Sequence, residues 1–175
     1  VENTQSGSLT SFDPGGFTLG SHVGQNTSNE SHIAWCWDMG DTTSSNSSGT
    51  ITSSVKANPA FGQSIVSYTG TGSAATVGHG LSSAPEMVIV KSRVDGYNWG
   101  VWHTGLTSAD YALQLNNTIA QANTWDYWND TAPSSSVFSV GTELGSNKSS
   151  STYIAYCFHS VTGYSKFGSY TGSGS

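Results

Sequence analysis

The chain has 175 residues, enough for one ordinary domain with a buried core, and only 9% are charged, while Ser, Thr, Asn and Gly fill most polar positions. That composition suits strands and turns, not a helical bundle or a charge-dense disordered tail. The net charge of −6, with Lys56, Lys91, Arg93, Lys148 and Lys166 as the fixed cations, excludes a basic patch for a phosphate backbone and hence a nucleic-acid partner, and no apolar run approaches the roughly 20 residues of a spanning helix, so membrane insertion is not expected.

An internal repeat organises the elements. Phe17-Thr18-Leu19-Gly20 aligns with Phe138-Ser139-Val140-Gly141, Asn26 with Asn147, and His32-Ile33-Ala34-Trp35-Cys36-Trp37 with Tyr153-Ile154-Ala155-Tyr156-Cys157-Phe158, at a constant offset of 121 (Phe17 to Phe138). A second block, Ser67-Tyr68-Thr69-Gly70-Thr71-Gly72-Ser73, matches Ser169-Tyr170-Thr171-Gly172-Ser173-Gly174-Ser175 at an offset of 102 (Ser67 to Ser169), which leaves 19 extra residues in the first copy. Residues 1–37 are thus expected to be the C-terminal part of one β repeat. The Ser/Thr/Gly-rich tract 38–59 reads as a connector, and residues 60–175 as a complete second repeat plus the opening strand of the next.

Within the complete repeat, Met87 to Arg93 begins as a continuous apolar run after Pro85, expected of a strand covered on both faces. Asp95-Gly96 signals a hairpin into Trp99 to His103. Tyr111 to Leu115, Val137 to Val140, Tyr153 to His159 and Phe167 to Thr171 complete the predicted strands. Short strands at this spacing, with no 3.6-period segment, predict an all-β chain built as a two-sheet antiparallel sandwich from a tandem-repeat array.

The ordered series Gly78-His79-Gly80-Leu81, Ala84-Pro85-Glu86-Met87-Val88-Ile89-Val90-Lys91, Asn98-Trp99-Gly100-Val101-Trp102-His103, Trp128-Asn129-Asp130-Thr131-Ala132-Pro133, Phe138-Ser139-Val140-Gly141 and Tyr153-Ile154-Ala155-Tyr156-Cys157-Phe158 resembles a repeat found in structural proteins of marine bacteriophages. The first 67 residues resemble the end of that repeat and its connector, so the likeness covers nearly the whole chain. It implies a concanavalin-like or laminin-G-like jelly roll in a tail-fibre or other virion-surface protein, at the virion surface or outside the cell. It carries over no catalytic residues.

Tyr97, Trp99, Trp102, Trp125, Tyr127 and Trp128 form the most suggestive side-chain group, because aromatic faces stack on sugars and are equally at home in a core. Trp99 alternates with Val101 and is expected to face inward. Trp125, Tyr127 and Trp128 lie in a loop that cannot bury every ring, and they are the candidate ligand contacts. Asp126, Asn129 and Asp130 offer clustered oxygens of the kind Ca²⁺ takes, but they lack the spacing of a defined calcium loop, and a solvated turn with Asx-type hydrogen bonds is the favoured reading. His22, His32, His79, His103 and His159 lack metal-ligand spacing, and no cofactor is implied. Cys36 and Cys157, on corresponding strands, are expected to be buried thiols and not a disulfide.

Catalysis is not expected. A glycosidase needs two opposed carboxylates, and nothing in the sequence brings Glu86 and Glu143, the two glutamates of the complete repeat, together. No Gly-x-Ser-x-Gly elbow occurs. Six Asn-x-Ser/Thr sites, at Asn26, Asn29, Asn46, Asn116, Asn129 and Asn147, barely exceed what the composition alone produces.

The functional expectation is a non-enzymatic structural module of a virion fibre or surface protein, acting in assembly and host-surface adhesion. The alternative is a carbohydrate-binding module of an extracellular adhesin or filament. Residues 1–37 have no counterparts of the Met87, Trp99 and Tyr111 strands, so Phe17, Leu19, Ile33, Trp35 and Trp37 need cover from a longer parent chain or from another copy packed head to tail. A cell-surface glycan is the other expected partner.

Overall fold

The computed structural model of the chain describes residues 5–40 and 42–174 and divides at Trp37 into two compact units, Glu2–Trp37 and a larger one from Asp38 onward. The larger unit is all-β and antiparallel. Its main sheet has seven strands: β3 (Thr43–Asn46), β4 (Ser53–Asn58), β5 (Gln63–Thr69), β7 (Met87–Ser92), β8 (Gly100–His103), β9 (Leu113–Gln114) and β11 (Thr152–Phe158). They lie in the order β3-β4-β5-β11-β7-β8-β9. A two-stranded sheet pairs β6 (Ala75–Gly78) with β10 (Val137–Val140). This arrangement is consistent with a sandwich.

The core follows from alternation. In β11 the residues Tyr153, Ala155 and Cys157 are fully buried while Ile154 and Tyr156 are only half-buried, and the same period runs through Val66 and Tyr68 of β5 and Val88 and Val90 of β7. Val77, Phe138 and Val140 of the small sheet enter the same cluster. Tyr68 stacks on its cross-strand neighbour Tyr153 at 5.3 Å and meets Phe138 edge-on at 6.0 Å. β7 departs from expectation here. Met87, Ile89 and Lys91 are half-buried, so its second face is not sealed as a continuous apolar run would be.

Five other expectations are corrected. The tract 38–59 is no simple connector: it supplies β3, whose Thr and Ser side chains are exposed, and β4, in which Ser54 is exposed while Ser53 and Val55 are buried. Phe167 to Thr171 forms no strand, because no neighbouring strand offers hydrogen bonds to it. The predicted strand from Tyr111 to Leu115 shrinks to β9. Trp102, not Trp99, reaches the core, since β8 starts at Gly100 and its register sets Trp102 opposite buried Val88; Trp99 is half-buried. The β7–β8 connection exceeds a two-residue turn and is braced through Asp95, which accepts from Ser151 Oγ at 2.9 Å and pairs with Lys148 at 3.0 Å.

The smaller unit holds a hairpin of β1 (Leu9–Asp13) and β2 (Gly16–Leu19) and the single-turn helix α1 (Val23–Asn26). Residues 31–37, the sequence counterpart of β11, are not a strand, and among the described residues of this unit no strand flanks them as β5 and β7 flank β11. Ile33 is 84% and Trp35 77% exposed. The same cause corrects the expectation for Cys36, which is exposed, whereas Cys157 is buried; both are free thiols. Burial pushes the Cys157 thiol up to about 12. Since the thiolate is the nucleophile, one thiol per folded chain, on Cys36, should label with iodoacetamide at pH 8, and the second only in denaturant. Two thiols labelling at equal rates under native conditions would contradict the buried position of β11.

Candidate functional site

The aromatic loop is built from its backbone outward. Between β9 and β10 the chain passes Trp125-Asp126-Tyr127-Trp128, and Asp126 ties this run to the loop after β10: Oδ2 accepts from Thr142 N at 2.7 Å and from Thr142 Oγ1 at 2.8 Å, while Oδ1 accepts from Asn129 N at 3.2 Å. The backbone repeats the tie, with Gly141 N donating to Tyr127 O and Glu143 N to Asp126 O, both at 3.1 Å. Gly141 is required by space, since a Cβ there would lie 2.0 Å from Asp126 Oδ1. Asn129 and Asp130 both take φ of 49°, the left-handed region that Asn and Asp tolerate best.

These ties decide which rings remain open. Tyr127 and Trp128 are each 2% exposed and belong to the core, with ring centroids 5.8 Å apart, so they are corrected from ligand contacts to packing residues. Burial raises the Tyr127 phenol above its ordinary range. Trp125 stays partly exposed and is braced edge-on by Tyr127 at 6.3 Å, leaving it as the one ring of the loop open to a ligand. Asp126, Asn129 and Asp130 act as a turn, with the Asp126 oxygens committed to N–H and O–H donors. Among the described residues no group of three His, Cys, Asp or Glu side chains is placed to hold a metal ion.

The remaining singled-out residues fall into structural places. His79 is fully buried, accepts from Leu81 N on Nδ1 at 3.1 Å and therefore donates from Nε2 to Ser134 O at 3.1 Å; burial lowers its pKa and keeps it neutral. Glu86 accepts from Ser160 Oγ at 2.6 Å, and Glu143 stands at the N-cap of the second single-turn helix, α2 (Leu144–Asn147). Asn147 is fully buried, so of the six acceptor motifs this one is closed to glycosylation in the folded chain.

Asn147 is the residue that the sequence pattern undervalues. Its Nδ2 donates to Ser73 O and Gly141 O, each at 2.7 Å, and its Oδ1 accepts from Thr71 N at 2.8 Å, so one side chain ties the loop after β5 to the loop after β10. Its counterpart behaves alike: Asn26 Nδ2 donates to Gly20 O at 2.7 Å. α1 and α2 have the same length and the same extended cap geometry, and they are followed by left-handed residues with equal φ of 63°, Asn29 and Ser150. Gly20 is crowded by Gly7 O as Gly141 is by Asp126 O, each carbonyl 2.3 Å from the Cβ position. The pairs Gly20/Gly141, Asn26/Asn147 and Asn29/Ser150 keep the offset of 121 seen in the sequence.

Comparison with protein-family models matches residues 1–175 to a domain of unknown function. The chain belongs to the DUF7483 family. The match to DUF7483 spans both compact units, the hairpin piece together with the larger sheet. No curated protein and no solved structure matches the chain. No described helix is long and apolar enough to cross a membrane.

Proposed function

We propose that this DUF7483 chain is a non-enzymatic structural module of a virion fibre or surface protein, a jelly-roll sandwich from a tandem-repeat array that works by associating with other copies of itself. The observation that carries the reading is the smaller unit. It reproduces the Gly20–Asn26 turn geometry of the complete module yet leaves Phe12, Ile33 and Trp35 largely exposed, at 83%, 84% and 77%. Several apolar side chains in water forfeit about 1.5 to 3 kcal/mol each relative to burial, which favours a covering partner. The phage-repeat likeness of the motif series supports the virion setting. Adhesion to a surface glycan is a second use of the same module, with Trp125 as its contact.

Light scattering of the purified chain across 1 to 100 µM tests the reading. The expected result is a weight-average mass that rises with concentration through multiples of the chain mass. A constant monomer mass over that range would overturn it.

A further inference from the structure

Resting on that assembly reading, we propose that residues 168–171 of one copy add as an antiparallel strand to residues 31–34 of a second copy, in the register that β5 keeps with β11. In the complete module β5 and β11 pair through Val66 opposite Ala155, Ser67 opposite Ile154, Tyr68 opposite Tyr153 and Thr69 opposite Thr152. The offset of 102 carries Val66 to Thr69 onto Gly168 to Thr171, and the offset of 121 carries Thr152 to Ala155 onto Ser31 to Ala34. The pairs implied are Gly168 with Ala34, Ser169 with Ile33, Tyr170 with His32 and Thr171 with Ser31. A ladder of four residues matches the length of the β6–β10 pair.

Both segments are open to such pairing. Tyr170 is 94% exposed, and among the described residues no backbone-to-backbone hydrogen bond reaches 31–34 or 168–171. An unpaired extended segment is a template for strand addition. Tyr170 would stack on His32 as Tyr68 stacks on Tyr153.

A second observation points to the same partner. Asn147 holds the segment after β5 by accepting from Thr71 N, while at Asn26 the Gly20 bond is made and Oδ1 has no partner among the described residues. The oxygen that would grip the chain after a β5-type strand is in place, and the Tyr-Thr-Gly sequence of such a strand recurs at Tyr170-Thr171-Gly172.

The test is disulfide trapping in a Cys36→Ser background, where buried Cys157 stays unreactive. Ile33→Cys with Ser169→Cys joins facing positions, whose Cα separation in an antiparallel pair suits a disulfide. Ile33→Cys with Tyr170→Cys is slipped by one residue, which turns the thiols to opposite faces. Under mild oxidation with glutathione disulfide, the facing pair should give a ladder of dimers, trimers and longer species on non-reducing gels, with a 33–169 linked peptide, at least tenfold above the slipped pair. Equal yields from the two pairs, or a link confined to single chains, would overturn the pairing even where light scattering shows association. A chain that scatters as a monomer would overturn the assembly reading and the pairing together.

Discussion

Replacing Asn147 by Ala is expected to lower the unfolding free energy of the larger unit by about 2 to 6 kcal/mol, read from urea melts followed by Trp fluorescence. The substitution removes four hydrogen bonds at once, those to Ser73 O and Gly141 O and those from Thr71 N and Thr71 Oγ1. Gly141 O is buried and loses its donor outright, at a cost of about 1 to 3 kcal/mol, whereas Thr71 N and Ser73 O lie in exposed residues and recover part of the loss from water, at about 0.5 to 1.5 kcal/mol each. Asn147→Asp should be no milder, because it sets a carboxylate oxygen against two carbonyls. The counterpart Asn26→Ala removes one exposed bond and should cost under about 1 kcal/mol. Equal effects at the two positions would mean that the buried network does not hold the loops together.

Phe138→Ala should cost about 3 to 5 kcal/mol, the range for emptying a buried Phe site. The ring is 1% exposed and packed against Tyr68, at the junction of the two sheets of the larger unit. Phe17, its sequence counterpart, is 36% exposed, and Phe17→Ala measured at a dilution where the chain is monomeric should cost about 1 kcal/mol or less. The contrast isolates what surrounds the side chain from what the side chain is. A loss at Phe17 as large as at Phe138 would show that the smaller unit buries its ring in solution.

The legible parts of the fold were those rich in β-branched and aromatic residues. β7, β8, β10 and β11 are short runs rich in Val, Ile, Phe, Tyr and Trp, and their positions emerge from the sequence to within a residue or two. β3 and β4 do not, because Thr43-Ser44-Ser45-Asn46 and Ser53-Ser54 look like linker; their pairing depends on the backbone of β5, which no local pattern encodes. Phe167 to Thr171 errs in the other direction, with strand-like residues and no adjacent strand. In the aromatic loop, which rings face solvent is set by Asp126 reaching Thr142, 16 residues further on, so composition alone could not separate Trp125 from Tyr127 and Trp128. The one available signal was the recurrence of Gly and Asn at Gly20/Gly141 and Asn26/Asn147. A repeated Asn among variable neighbours marks a fixed hydrogen-bond post, and only its burial remained hidden.

The position of β11 bears on how the protein is made. It lies in the middle of the seven-stranded sheet, flanked by β5 on one side and β7 on the other, yet in sequence it follows the other six strands of that sheet. While the nascent polypeptide emerges from the ribosome, β3-β4-β5 and β7-β8-β9 have no edge in common, and each half presents a raw edge until Thr152–Phe158 is released. Insertion of that strand joins both halves and buries Tyr153, Ala155 and Cys157 in one step, so the larger unit commits late and as a whole.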